Sequence, residues 1–218
     1  MPNPDELDPH AEQPLVTAGA PAAAADVAVV ACHGRGATAQ GMVNLLEPVY
    51  RHGVAFLAPQ ARHNSWYPRP ATAPRAANEP ALSSSVESIG AALESAREIG
   101  IPAERTVLVG FSQGASVVAE FVGRRPGRYG GVFLLSGGIP GGPGDELAVA
   151  GQLEGTPAFV GYGAADSRID LEHVAETARA LEDAGADVTE RRYPGVGHEV
   201  TDDEFEVVGA LLESLGAE

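Results

Sequence analysis

Gly110-Phe111-Ser112-Gln113-Gly114 is the only Gly-x-Ser-x-Gly in the chain, and a serine so placed attacks a carbonyl only if its hydroxyl is held outward and relieved of its proton. The flanks speak to the first condition. Thr106-Val107-Leu108-Val109-Gly110-Phe111 is a short, continuous apolar run, as in a strand covered on both faces. Ala115, Val118, Ala119 and Val122 then recur at helical spacing until Arg125-Pro126-Gly127 stops the helix. Strand, abrupt turn and helix put Ser112 on a sharp bend at the carboxyl end of a strand. The two glycines spare a clash where strand and helix backbones meet, and the Gln113 N–H faces the place where an oxyanion would form. The competing reading, a serine in an ordinary glycine-rich loop, does not account for these flanks.

A base and an acid must follow. In this strand–turn–helix context they come later in the chain, acid before histidine. Only His173 and His198 follow Ser112. His173 falls inside an amphipathic helical pattern and is expected to face solvent. His198 lies in Tyr193-Pro194-Gly195-Val196-Gly197-His198-Glu199, a glycine-loosened loop from which a base can reach over the end of a sheet. Asp166, in Gly163-Ala164-Ala165-Asp166-Ser167-Arg168, follows an apolar strand and is the expected acid, whereas Asp170 suits the cap of a helix beginning at Leu171. A second oxyanion donor should come from the turn after the first central strand, Cys32-His33-Gly34-Arg35-Gly36-Ala37-Thr38, where His33 reads as a loop brace. There is no His-Glu-x-x-His, cysteine pair or Gly-rich phosphate loop, so no metal, nucleotide or other cofactor is expected.

The elements that must position these groups alternate. Strands are expected at 27–32, 54–58, 106–111, 131–135, 158–162 and 188–193, with helices near 40–51, around 82–93, after 112, from 171 and from 202. The last opens on the capping box Thr201-Asp202-Asp203-Glu204. This alternation implies an α/β fold, a mostly parallel sheet with helices on both faces. At 218 residues and 44% hydrophobic, the chain suits a single domain over residues 26–218, preceded by a loose arm over 1–25 with one short edge strand near Leu15 to Thr17.

Thirty acidic residues face fourteen basic ones, all arginine, for a net charge of −16. That balance argues against nucleic acid and against stable association with anionic membranes. The acid excess without lysine reads as adaptation to salt; compositional bias is the rival explanation. The first residues lack the basic start and apolar core of a signal peptide, and no apolar run reaches the ~20 residues a bilayer requires, so a cytoplasmic protein is expected. Cys32 stands alone, in an apolar run, as a small buried hydrophobe.

The elbow Gly110-Phe111-Ser112-Gln113-Gly114-Ala115, the turn His33-Gly34-Arg35-Gly36, the Asp166 segment and the ending Gly195-Val196-Gly197-His198 together resemble the phospholipase/carboxylesterase family of α/β-hydrolases, which includes acyl-protein thioesterases. The resemblance runs over nearly the whole chain after Asp26. It implies the α/β-hydrolase fold and a serine carboxylesterase or thioesterase working without a cofactor, with Ser112 as nucleophile, Asp166 as acid and His198 as base. It also implies oxyanion donors in the backbones of Arg35 and Gln113. Eukaryotic acyl-protein thioesterases carry Leu-Gly-Asp-Thr-Gly after His-Gly; here the sequence is Arg35-Gly36-Ala37-Thr38-Ala39, closer to a bacterial or archaeal branch. Lactone or carbon–carbon bond hydrolysis on the same scaffold is the alternative, and a non-catalytic binding protein a weaker one.

One long segment, residues 59–80, contains five prolines around Trp66-Tyr67 and follows a strand's carboxyl end, where open α/β sheets bind ligands. Trp66 and Tyr67 are expected as substrate walls, the alternative being an aromatic plug. No acid lies between Glu47 and Glu79, while Arg51, Arg62, Arg69 and Arg75 do. Arg69 and Arg75 are therefore expected to favour an anionic ester or thioester as the small-molecule partner. A homodimer is the other partner considered.

Overall fold

The computed structural model describes residues 8–217. Seven strands form one sheet: β1 (Leu15–Gly19), β2 (Val27–Cys32), β3 (Val54–Pro59), β4 (Thr106–Phe111), β5 (Gly131–Leu135), β6 (Pro157–Gly163) and β7 (Asp187–Tyr193). Their order is β1-β3-β2-β4-β5-β6-β7, with β1 antiparallel to β3 and every other pairing parallel. The continuous apolar runs are explained by burial on both faces. In β2, Ala28, Val30 and Cys32 face one half of the core and Val27, Val29 and Ala31 the other.

Among the described residues five α-helices cover the sheet: α1 (Ala39–Leu45), α2 (Ala81–Glu98), α3 (Gln113–Arg124), α4 (Leu171–Asp183) and α5 (Asp202–Gly216). Leu82 and Ile89 of α2, Val118 and Phe121 of α3 and Leu181 of α4 fill one face, and Met42 and Val43 of α1 with Val208 and Leu212 of α5 fill the other. The helix expected over 40–51 is shorter than its pattern. It gives way after Leu45 to a 3-10 turn at Glu47–Val49, because Pro48 has no N–H to donate one turn back and its ring would crowd the carbonyl there.

The arm carries the expected edge strand, as β1, but is less loose than expected. Residues 1–7 of the segment expected to be loose lie outside the described residues. The remainder is tied down by the β1 ladder and by His10, which is 4% exposed and bonded to Trp66 and Ser84. β1 therefore belongs to the same sheet as the segment after residue 26.

Candidate active site

The elbow is built at the carboxyl end of β4. Ser112 has φ 56° and ψ −120°, a strained conformation for a residue with a side chain, and such a residue costs on the order of 1–3 kcal/mol that the surroundings must supply. Those surroundings admit only glycine at two places: a Cβ on Gly110 would strike the Gly114 carbonyl, and one on Gly114 would strike that of Cys32. The Ser112 N–H donates to the Leu135 carbonyl at 2.8 Å, which locks the turn to β5.

His198 approaches from the β7–α5 loop. Its Nε2 lies 2.9 Å from Ser112 Oγ and its Nδ1 lies 2.6 Å from Asp166 Oδ2. The Asp166 side chain is fully buried, and its second oxygen accepts from the Arg168 N–H at 2.8 Å. Two backbone bonds, Ala164 N–H to Tyr193 O and Ala165 N–H to Val196 O, latch the Asp166 loop to the His198 loop. The Phe111 ring lies 5.0 Å from the imidazole, centroid to centroid, and flanks it. Asp170 instead caps α4, accepting from the N–H groups of Glu172 and His173.

Gln113 is the first residue of α3, so its N–H has no carbonyl one turn back to satisfy it. The Arg35 turn abuts the elbow: a Cβ on Gly34 would come 3.4 Å from that of Ser112. Gly36 N–H to Asn64 O and Ala37 N–H to Gly34 O hold the turn in place. His33 is fully buried and braces it. Its Nε2 accepts from the Ala61 N–H at 3.1 Å, so its Nδ1 carries the proton and donates to the Gly34 carbonyl at 2.8 Å. Burial holds its pKa below the usual histidine value.

These groups open onto a cleft of about 400 Å³, whose walls include Arg35, Tyr67, Ser112, Gln113 and His198. Such a volume accommodates a small ligand. Of the four residues expected to contact substrate, only Tyr67 reaches it; its hydroxyl is pushed up to about 12, chiefly by burial. Trp66 is fully buried and is a plug: its indole N–H donates to the His33 carbonyl at 2.8 Å, and its ring packs against His10 and His33. Arg75 turns away to Glu120 at 3.2 Å and to the Glu146 carbonyl, while Arg69 projects from the exposed loop outside the cleft. The positive stretch is thus partly neutralised by acids from distant segments, as Arg51 with Glu213 again illustrates.

Sequence reasoning missed Arg168 and His173, both on the cleft wall. His173 does not simply face solvent, because its Nε2 donates to the Ile139 carbonyl at 2.6 Å. The available signal was position. Arg168 is two residues beyond Asp166, and His173 lies in the first turn of a helix that starts at the strand ends. Among the described residues no group of three or more His, Cys, Asp or Glu side chains could hold a metal, and no helix is long and apolar enough to cross a membrane.

The arrangement can deprotonate a serine and stabilise the imidazolium that results. A family model described as Phospholipase/Carboxylesterase matches residues 14–215. The crystal structure of a phospholipase/carboxylesterase from Dyadobacter fermentans superposes with a TM-score of 0.86 at 36% identity, covering 93% of this chain and 97% of that one. Acyl-protein thioesterase 1 of Debaryomyces hansenii is 32% identical over 112 residues, 48% of this chain and 46% of that protein. Esterase YpfH of Escherichia coli is 34% identical over 104 residues, 48% of this chain and 42% of that protein. The chain thus spans about half the length of the curated relatives it matches.

Proposed function

The chain belongs to the phospholipase/carboxylesterase family, and we propose that it is a serine hydrolase cleaving small to medium acyl esters or thioesters through an acyl-enzyme. The observation that carries this reading is His198 standing between Ser112 Oγ at 2.9 Å and Asp166 at 2.6 Å on the wall of the cleft.

Ser112 Oγ adds to the substrate carbonyl as His198 Nε2 takes its proton, and Asp166 holds the Nδ1–H tautomer and offsets the imidazolium charge. The carbonyl oxygen becomes an oxyanion between the N–H groups of Gln113 and Arg35, at the amino end of α3 where the helix dipole also favours negative charge. Collapse of this adduct expels the alcohol or thiol, protonated by His198, and leaves an ester on Ser112. Water, deprotonated by the same imidazole, then adds to that ester; a second collapse returns the proton to Ser112 and releases the acid.

The test is a panel of p-nitrophenyl esters of rising chain length with one acyl-CoA and one lactone, run beside mass spectrometry of the intact protein after brief exposure to substrate. Turnover with a transient adduct at Ser112 is expected, strongest for short and medium acyl groups. Lactone opening without ester turnover would favour the alternative chemistry on this scaffold, and neither turnover nor adduct would remove the hydrolase reading.

A further inference from the structure

Several arginines elsewhere on this acidic surface have found carboxylates: Arg51 pairs with Glu213, Arg125 with Glu87 and Arg191 with Asp203. Arg168 has not. It lines the cleft, its side chain is exposed, and among the described residues its guanidinium makes neither an ion pair nor a hydrogen bond. Among the described residues the exposed Arg69 and Arg192 also lack an ion pair, but neither lines the cleft; what sets Arg168 apart is that it stands unpaired on the wall that carries Ser112 and His198.

The rest of the wall accentuates this. Its titratable side chains are Arg35, Tyr67, Arg168, Asp170, His173 and His198. The only carboxylate among them is Asp170, one oxygen of which is committed to two N–H groups of the α4 cap. Arg35, which also lines the cleft, spends its hydrogen bonds on neutral oxygens of Ser65, Tyr67, Pro68 and Arg69, so its charge has no counter-ion there. A negative body with a cleft whose walls carry two guanidinium groups focuses positive potential where substrate must enter. The backbone of Arg168 is anchored to the site, because its N–H bonds to Asp166 Oδ1. A group held by its guanidinium therefore stays within one arginine side chain's reach of a backbone anchored beside His198 and Ser112.

We propose that Arg168 is a specificity-determining residue that binds a carboxylate borne by the substrate away from its scissile carbonyl, which makes the preferred class anionic esters or thioesters. The inference rests on the hydrolase reading above and names its substrate class. The geometry assigns to Arg168 the role that sequence reasoning gave to Arg69 and Arg75. A guanidinium and a carboxylate match as two parallel N–H to O bonds, and an exposed site makes the pair sensitive to salt.

The carboxylate can lie on either side of the ester, and the experiment separates the two. On the acyl side, p-nitrophenyl hemisuccinate is compared with p-nitrophenyl butyrate; on the alcohol side, the butyryl ester of 4-hydroxybenzoate is compared with that of 4-hydroxybenzamide. The quantity read is the ratio of kcat/KM, charged over neutral, in wild type and in Arg168→Gln, Arg168→Lys and Arg69→Gln. In at least one arm Arg168→Gln is expected to lower the ratio about tenfold, with Arg168→Lys between and Arg69→Gln unaltered, and added sodium chloride should lower the wild-type ratio. A ratio equal in wild type and Arg168→Gln in both arms, with the neutral esters turned over, overturns the inference alone. No turnover of any ester and no adduct at Ser112 overturns the hydrolase reading and this inference with it.

Discussion

The Gln113 side chain donates to the Tyr67 carbonyl at 2.7 Å while its own oxygen accepts from the Trp66 N–H at 3.0 Å, a two-point clamp between the elbow and the proline-rich loop. The Arg35 guanidinium donates to the same Tyr67 oxygen at 2.9 Å. Both residues proposed to stabilise an oxyanion through their backbones are thus fastened through their side chains to one peptide. This ties two N–H groups from separate loops into one rigid frame.

From that frame follows a prediction about rate. Gln113→Met keeps the volume but removes both hydrogen bonds, and Arg35→Ala removes the second fastening. Each is expected to lower kcat by about tenfold to 10²-fold with KM little changed, the range expected when a reacting geometry drifts by up to about 1 Å. Arg35→Lys should not restore the rate, because a single ammonium cannot span the acceptors that a planar fork reaches. Steady-state kinetics that showed a raised KM with kcat intact would mean that the clamp serves binding instead.

The proposed acid and its rival differ in what they touch, and substitution should separate them. Asp166→Asn leaves an amide facing His198 Nδ1 and favours the wrong tautomer, for an expected loss of up to ~10⁴-fold in kcat. Asp170→Asn, at the cap of α4, should change kcat little and cost at most about 1 kcal/mol of stability. Ser112→Ala and His198→Ala should each abolish turnover with circular dichroism unchanged. A larger kinetic loss from Asp170→Asn than from Asp166→Asn would reverse the assignment.

The elbow glycines make a different prediction, about folding. Gly114→Ala would drive a methyl group into the Cys32 carbonyl and Gly110→Ala into that of Gly114, both backbone atoms within a packed sheet-helix junction. Overpacking of this kind costs typically 1–3 kcal/mol, and more where backbone cannot yield. Each variant should show a lower urea midpoint as well as lost activity, whereas Gly36→Ala, which meets nothing within 4 Å, should be strained only by its φ of 80°. Unaltered midpoints for Gly110→Ala and Gly114→Ala would show that the junction has more room than this packing allows.

What the sequence discloses and what it hides divide along physical lines. The buried parallel strands β2 to β6 are readable because both faces are covered and their runs are unbroken, and the Thr201–Glu204 box marks the start of α5 as expected. The proximity of Ser112, Asp166 and His198 is readable because elbow, strand end and glycine-loosened loop each leave a local signature. Trp66 is ambiguous in sequence because an aromatic in a proline-rich loop looks the same whether it faces a ligand or the core. Its polar partners His10, His33, Ser85 and Gln113, distant in sequence, decide for the core. The arginine stretch misleads for the same reason, since counting charges along the chain cannot see Glu120 arriving from α3 to meet Arg75. The edge strand of the arm is anticipated, but the second anchor, one histidine meeting a loop more than fifty residues away, is not.

That anchoring gives the last prediction. His10 Nδ1 accepts from the Arg62 N–H at 3.1 Å while its Nε2 donates to the Trp66 carbonyl at 2.9 Å, so the ring is held neutral, and His33 is held neutral by the Ala61 N–H. Burial is the largest cause in lowering both pKa values from 6.5. A depressed histidine pKa means that the unfolded chain takes up a proton before the folded one does. The stability these rings lend is therefore fully present above pH 6.5 and is lost as pH falls from there toward their folded values. Each contributes a slope of at most about 1.4 kcal/mol per pH unit in that window. Glu79 and Asp203, whose pKa values are lowered from 4.5 and 3.8, act only at more acid pH. Glu204 opposes the trend: buried, with one oxygen lacking a partner, its carboxyl is raised above 4.5, and it restores some stability as pH falls. Urea midpoints measured from pH 8 to 5 should fall below pH 6.5 in wild type. His10→Gln, which can still accept from Arg62 and donate to Trp66 without titrating, should show a shallower fall, and Glu204→Gln a steeper one. A midpoint as steep in His10→Gln as in wild type would show that the arm histidine is not the group whose protonation unfastens the loop.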